Sequence, residues 1–175
     1  MAWTAPSTFV AGAILTAAEL NTNVRDNTGF LFKPPMCVLR NTAGAVSIPN
    51  STSTELLYGV VQELVDTDTM HSTATNTGRI TINTAGVYCV TSNITWAGAG
   101  ADGSRVLMRI NKNGTEICRT DSGNYGATTA LGFCLAVTTS CAVTDYLTFT
   151  VLQTSGAARN VDDSGFAATF VGNPA

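Results

Sequence analysis

Thr77-Gly78-Arg79-Ile80-Thr81-Ile82-Asn83-Thr84-Ala85-Gly86-Val87-Tyr88-Cys89-Val90, running on to Trp96, is the stretch that decides the fold. Ile80 and Ile82 fall on one side of it, and Arg79, Thr81 and Asn83 on the other. Thr84-Ala85-Gly86 supplies a turn. Tyr88, Val90, Ser92, Ile94 and Trp96 then share one face, and Cys89, Thr91, Asn93 and Thr95 share the opposite one. Side chains of an extended chain alternate between two sides, so this period of two specifies strands with a single apolar face.

The same alternation returns downstream. In Arg105-Val106-Leu107-Met108-Arg109-Ile110-Asn111-Lys112-Asn113-Gly114, Val106, Met108 and Ile110 alternate with Arg105, Leu107 and Arg109. Asn113 and Gly114 both tolerate positive φ, which a two-residue hairpin requires, so Ile117 and Cys118 are expected in the return strand. Leu131, Phe133, Leu135 and Val137 alternate with Gly132, Cys134, Ala136 and Thr138. Leu147, Phe149 and Val151 alternate with Tyr146, Thr148 and Thr150, and Phe166, Ala168 and Phe170 form a last strand. Met36-Cys37-Val38-Leu39-Arg40 reads as a first strand. Residues 55–65 are ambiguous, since Leu56, Tyr58 and Val60 alternate while Glu63 and Leu64 could equally continue a helix, and they are read as a strand on context. Residues 41–53, 66–78, 98–103 and 121–127 are rich in Ser, Thr, Asn, Asp and Gly and read as loops. Many short strands with no helix among them predict an all-β sandwich or jelly roll. Its core is expected to hold Ile80, Ile82, Tyr88, Val90, Ile94, Trp96, Met108, Phe133, Leu147, Phe149, Phe166 and Phe170 between two sheets, with small, Thr-rich outward faces.

Composition supports this reading and excludes several functions. Of 175 residues, 45% are hydrophobic and only 12% charged, against about 25% charged in a typical soluble domain. Thr and the β-branched aliphatics suit pleated strands. The net charge is -3 and the basic residues are scattered singly, so the concentrated basic face that nucleic acid demands is not expected. No apolar run approaches the ~20 residues that span a bilayer, and no basic segment followed by an apolar one marks a secretory leader. Five cysteines (Cys37, Cys89, Cys118, Cys134 and Cys141) lack Cys-x-x-Cys spacing, and His71 is the only histidine, so no zinc site is expected. Buried free thiols in a reducing cytosol are expected instead. Catalysis needs a base beside a nucleophile, or paired carboxylates in a cleft. Neither is legible, and His71 sits in a Ser/Thr-rich stretch that suggests a solvated side chain. Asp66, Asp68, Asp162 and Asp163 are of the type that binds calcium, but the twelve-residue calcium-loop pattern is missing. The chain is therefore read as a non-enzyme without metal or cofactor.

Residues 1–35 differ in character. Trp3, Phe9 and Val10 are apolar points on a small-residue stretch. Thr16-Ala17-Ala18-Glu19 reads as a capping box, in which the Thr hydroxyl takes an early helix N–H and Glu reaches back. Leu20, Val24 and Leu31 follow at helical spacing, and Lys33-Pro34-Pro35 forbids continuation. A lone helix of about three turns is marginal in water, so it must dock. Docking on its own β domain is one reading. The preferred one is docking on a partner or a sister helix, with Trp3, Phe9, Val10, Leu20, Val24, Phe30 and Leu31 as the anchoring interface. The chain thus divides into an anchoring arm, 1–35, and a β domain, 36–175.

In order and spacing the strand motifs resemble the globular head of the C1q/TNF family. Gly86-Val87-Tyr88 stands where that family has its Gly-x-Tyr strand, Asn113-Gly114 where it has an Asn-Gly hairpin, and Phe166 to Phe170 where it has a Phe-rich last strand. Thr144-Asp145 replaces the usual Gly-Asp. The resemblance implies a ten-stranded jelly roll and a homotrimer with one sheet surface packed around the axis. Separately, Trp3-Thr4-Ala5-Pro6, Val10-Ala11-Gly12, Leu15 to Asn21, Val24-Arg25-Asp26-Asn27 and Phe30-Leu31 resemble the N-terminal segment of tailed-bacteriophage virion proteins. Together the two imply a virion structural protein, assembled in the host cytoplasm and displayed on the particle, with its arm on a major capsid or tail protein. A capsid decoration or head-spike role leads. A tail or baseplate adhesin that binds host-surface glycans is the alternative, and a free C1q-like ligand-binding module the second.

Overall fold

Extended segments bury an apolar face only by pairing into sheets and stacking those sheets. The computed structural model describes residues 4–5, 7–42, 46–59, 62–96, 105–123 and 131–173. Among them are eleven strands: β1 (Met36–Asn41), β2 (Val46–Ile48), β3 (Thr54–Glu55), β4 (Glu63–Asp66), β5 (Arg79–Thr81), β6 (Gly86–Trp96), β7 (Arg105–Lys112), β8 (Thr115–Gly123), β9 (Leu131–Cys141), β10 (Tyr146–Gln153) and β11 (Arg159–Gly172). They form a six-stranded sheet in the order β4-β1-β11-β6-β9, with β2 also on β11, and a five-stranded sheet in the order β3-β10-β7-β8, with β5 also on β10. All of these pairings are antiparallel. This is a jelly-roll sandwich.

The inward faces meet as a single core. Ile80, Ile82, Tyr88, Val90, Ile94, Trp96, Met108, Leu147, Phe149 and Phe166 are all buried. Phe149 of β10 stacks on Phe166 of β11 across the two sheets, with ring centroids 5.9 Å apart. Phe133 and Phe170 are half-buried and pack against this core from its margins. For Phe133 the reason is topology, since β9 is the edge strand of its sheet. The Gly-x-Tyr motif acquires a reason too. A Cβ at Gly86 would lie 2.1 Å from the Phe170 ring, which in turn meets Tyr88 edge-on at 5.6 Å. Asn113 and Gly114 both take positive φ in the β7–β8 hairpin, as an Asn-Gly turn must.

Several expectations change. Residues 41–53 are not all loop, since Asn41 closes β1 and Val46–Ile48 form β2 against β11, and Asp66 belongs to β4. Eleven strands stand among the described residues where the resemblance implied ten. Residues 55–65 are not one strand. The chain leaves the five-stranded sheet after β3, buries Leu56 and Tyr58 with Leu57 exposed, and joins the other sheet only at β4. Alternation persists through this crossing because the Leu56 and Tyr58 amides bond Phe149 and Thr77 carbonyls rather than a regular ladder. The last strand begins at Arg159, well before Phe166, and Asp121 to Gly123 belong to β8 rather than to a loop.

The N-terminal helix runs through residues 17–32 as α1 (Ala17–Leu20), a wider π turn (Asn21–Asp26) and α2 (Asn27–Phe32). The capping box is present: the Glu19 amide donates to the Thr16 hydroxyl at 3.2 Å, and the Glu19 carboxylate accepts from the Thr16 amide at 2.8 Å.

Candidate functional site

The sandwich offers two outer faces of opposite chemistry. On the six-stranded sheet the ladders align outward residues in transverse rows. Val38, Ala167, Thr91 and Ala136 form one row, Met36, Thr169, Cys89 and Thr138 the next, and Arg40, Gly165, Asn93 and Cys134 a third. The first two rows carry small or apolar groups and no charge. The third lies flat because a Cβ at Gly165 would come within 2.3 Å of Asn93 Oδ1. Its one cation, Arg40, is paired with Asp163 at 3.0 Å.

The outer face of the five-stranded sheet is a lattice of charge. Arg105 pairs with Asp121, and Arg109 and Arg119 share Glu116 at 3.0 and 3.7 Å. Arg79 lies 4.2 Å over the Tyr146 ring, a cation–π contact. The hydrogen bond from Arg105 holds the Asp121 carboxyl below its ordinary range. At the hairpin end, the Asn113 side-chain amide does the same to Asp145. Basic residues scattered along the sequence are thus gathered by the ladders: Arg109 sits opposite Arg119, and Arg79 lies two strands from Arg109, on the far side of β10. A linear reading misses this face because the arginines come from three strands. The only available signal was that each occupies an outward phase.

The arm is a third surface. Its helix clasps the segment before it through Asn27, whose side chain accepts from the Thr4 amide at 3.0 Å and donates to the Thr4 carbonyl at 2.8 Å. One turn earlier, Asn23 accepts from the Ser7 amide at 2.8 Å. The sequence reading gave neither asparagine this clasping role, although i and i+4 spacing puts them on one helix face. Phe30, expected in the anchoring set, is turned inward. It is 4% exposed and packs edge-on against Phe170 at 5.1 Å, so it fixes the helix to its own β domain. Phe9, Val10, Leu20, Val24 and Leu31 are exposed, as are Ile14, Leu15 and Phe32, which the sequence reading passed over. Trp3 lies outside the described residues.

His71 and Asp66 are tied into the fold by hydrogen bonds. His71 is not solvated. Its side chain is fully buried, with Nδ1 2.8 Å from Glu63 Oε2 and Nε2 3.0 Å from the Thr77 carbonyl. Glu63 is in β4 of one sheet, and His71 bridges to Ile80 in β5 of the other. The histidine therefore pins the edges of both sheets together. The Asp66 carboxylate accepts from the amides of Asp68, Met70 and His71. Among the described residues no group of three potential metal ligands occurs. The cysteines are unpaired, but only Cys37 and Cys141 are buried, and Cys134 is exposed because β9 turns its even-numbered positions outward. Burial, reinforced by Asp66 and Glu63, pushes the Cys37 thiol far above its ordinary value, which removes it as a nucleophile.

No family model and no curated protein matches the chain. Solved structures do. The globular domain of zebrafish complement 1qA protein aligns with a TM-score of 0.59 at 11% identity, covering 80% of this chain and 99% of that one. Eiger TNF from S. frugiperda aligns with a TM-score of 0.55 at 16% identity, covering 81% and 96%. The chain has the C1q/TNF jelly-roll fold. Identities this low carry the fold alone.

Proposed function

We propose that the chain is a non-enzymatic virion structural protein of a tailed bacteriophage. It forms a homotrimer through the outer face of the six-stranded sheet, presents the five-stranded sheet outward, and attaches to a major capsid or tail protein through residues 1–35. The observation that carries this reading is the contrast between the faces. A flat surface of Val, Ala, Thr and Cys loses little by being covered, whereas the arginine face would leave charges desolvated if buried. The resemblance of the arm to phage virion proteins supports the setting, and a capsid decoration or head-spike role leads. A tail or baseplate adhesin is the second reading, favoured by the array of Arg79, Tyr146, Arg109 and Arg119. Guanidinium forks and an aromatic ring suit polar, partly anionic host glycans.

Two measurements test the proposal. Light scattering of the purified chain should give the mass of a trimer, and a monomer at all concentrations overturns the assembly. Immunogold labelling of phage particles with antibody against residues 36–175 should decorate the head. Label confined to the tail selects the adhesin reading, and unlabelled particles overturn the virion assignment.

A further inference from the structure

Asn113-Gly114 is the only Asn-Gly step in the chain, and such a step carries its own reaction. Glycine has no side chain to shield its amide nitrogen, so that nitrogen can attack the side chain before it. Here the Gly114 nitrogen gives its proton to solvent base and bonds to Asn113 Cγ, the Cγ–Nδ2 bond breaks, and ammonia leaves. Water then opens the resulting succinimide at either of its carbonyls, which yields aspartate or isoaspartate. The sum is hydrolysis of one amide, with no change of oxidation state.

The folded hairpin opposes this reaction in two ways. Asn113 has φ of 51° and Gly114 of 78°, the left-handed pair of a two-residue turn. In that conformation the next amide nitrogen points away from Cβ across the Cα–C bond, so the five-membered ring closes only after the backbone swings round. The β9–β10 loop resists that swing. The Asn113 amide donates to the Tyr146 carbonyl at 2.9 Å, Asn113 Oδ1 accepts from the Tyr146 amide at 2.9 Å, and Nδ2 donates to Asp145 Oδ1 at 2.7 Å. Asp145 is held in turn, accepting from the Ala142 amide at 2.9 Å with Lys112 Nζ 3.9 Å away.

We infer that Asn113 is a latent modification site, closed to deamidation in the folded protein and open to it whenever the hairpin unfolds. The product does not suit the same place. An aspartate there lacks the Nδ2 donor and sets its charge against that of Asp145. Isoaspartate adds a backbone atom to a turn whose length and twist match its strands. A chain modified while unfolded therefore keeps a permanent mark at the joint between the hairpin and the β9–β10 loop.

The test incubates the full chain at mildly alkaline pH, folded in buffer and unfolded in guanidinium chloride, and follows the tryptic peptide 113–119 by mass and retention time. It should convert to aspartyl and isoaspartyl forms in denaturant, and at least about tenfold more slowly in buffer, where reaction waits on local opening. Equal rates in the two samples, or no conversion in denaturant, overturn the inference. Asp145→Ala removes one of the holds on the side chain. A sample of this variant shown to be folded by near-UV circular dichroism should convert faster in buffer than the parent. A folded variant that converts as slowly as the parent overturns the part assigned to the β9–β10 loop.

Discussion

The two outer faces of the sandwich are built from the same alternation and differ in almost everything else. On the six-stranded sheet the outward rows carry Met, Val, Ala, Thr, Cys, Asn and Gly across four strands, with a single arginine, Arg40, paired to Asp163. On the five-stranded sheet they carry four arginines, two carboxylates and a tyrosine, also across four. The inward positions of both are interchangeable in kind, since the core asks only for apolar volume. What a face meets on its other side sets the composition there. A face written in small uncharged residues is compatible with another protein surface, and one written in ion pairs is compatible with water.

The sharpest break in this picture would come from beneath both faces. Phe149→Ala removes the ring that stacks on Phe166, and it should destabilise by about 3–5 kcal/mol in denaturant unfolding. A loss under about 1 kcal/mol would mean that the two sheets do not share one core. Next, Ala136→Arg places an unpaired charge amid the uncharged rows. Burying such a charge costs several kcal/mol, so the trimeric mass should fall to that of a monomer, while Thr115→Arg at the exposed hairpin of the other sheet leaves it unchanged. Equal behaviour of the two variants would erase the distinction between the faces. His71→Ala leaves the Glu63 carboxylate and the Thr77 carbonyl without a partner where the sheets are pinned. It should cost about 1–3 kcal/mol, read from the unfolding midpoint.

The smallest effect belongs to the charged lattice. The Asp121 carboxyl is held low by Arg105, so its contribution is present above the ordinary carboxylate range and is lost as pH falls through its folded value. Both groups are solvent-exposed, so Arg105→Ala should flatten this acid-side dependence only slightly, and 1 M salt should remove the difference between variant and parent. A large, salt-resistant change would show that this face is covered after all.

The sandwich was legible because each long strand states its own phase. Tyr88, Val90, Ile94 and Trp96 point inward in β6 by the arithmetic of alternation, and Asn113-Gly114 names its turn. Residues whose surroundings come from elsewhere in the chain were not legible. His71 looked solvated in its Ser/Thr-rich stretch because Glu63 and the Thr77 carbonyl become its partners only after the loop folds back. The arginine face required knowing that β7 lies between β8 and β10. In the arm, the helix start was readable from Thr16 and Glu19, since a cap is a local device. Whether Phe30 faced inward depended on Phe170, at the far end of the sequence.

The longest strand, β11, pairs with β1, β2 and β6, so that Cys37 lies opposite Ala168. A ribosome making this protein therefore delivers the spine of the six-stranded sheet last. Until it emerges, β1 has no neighbour on that side and the Phe149 ring has no Phe166 to stack on. Contacts this distant in sequence form slowly. During that interval β6 and β9, which carry no charged residue, wait with one edge unpaired, and the yield of correctly folded protein becomes a matter of timing as well as of stability.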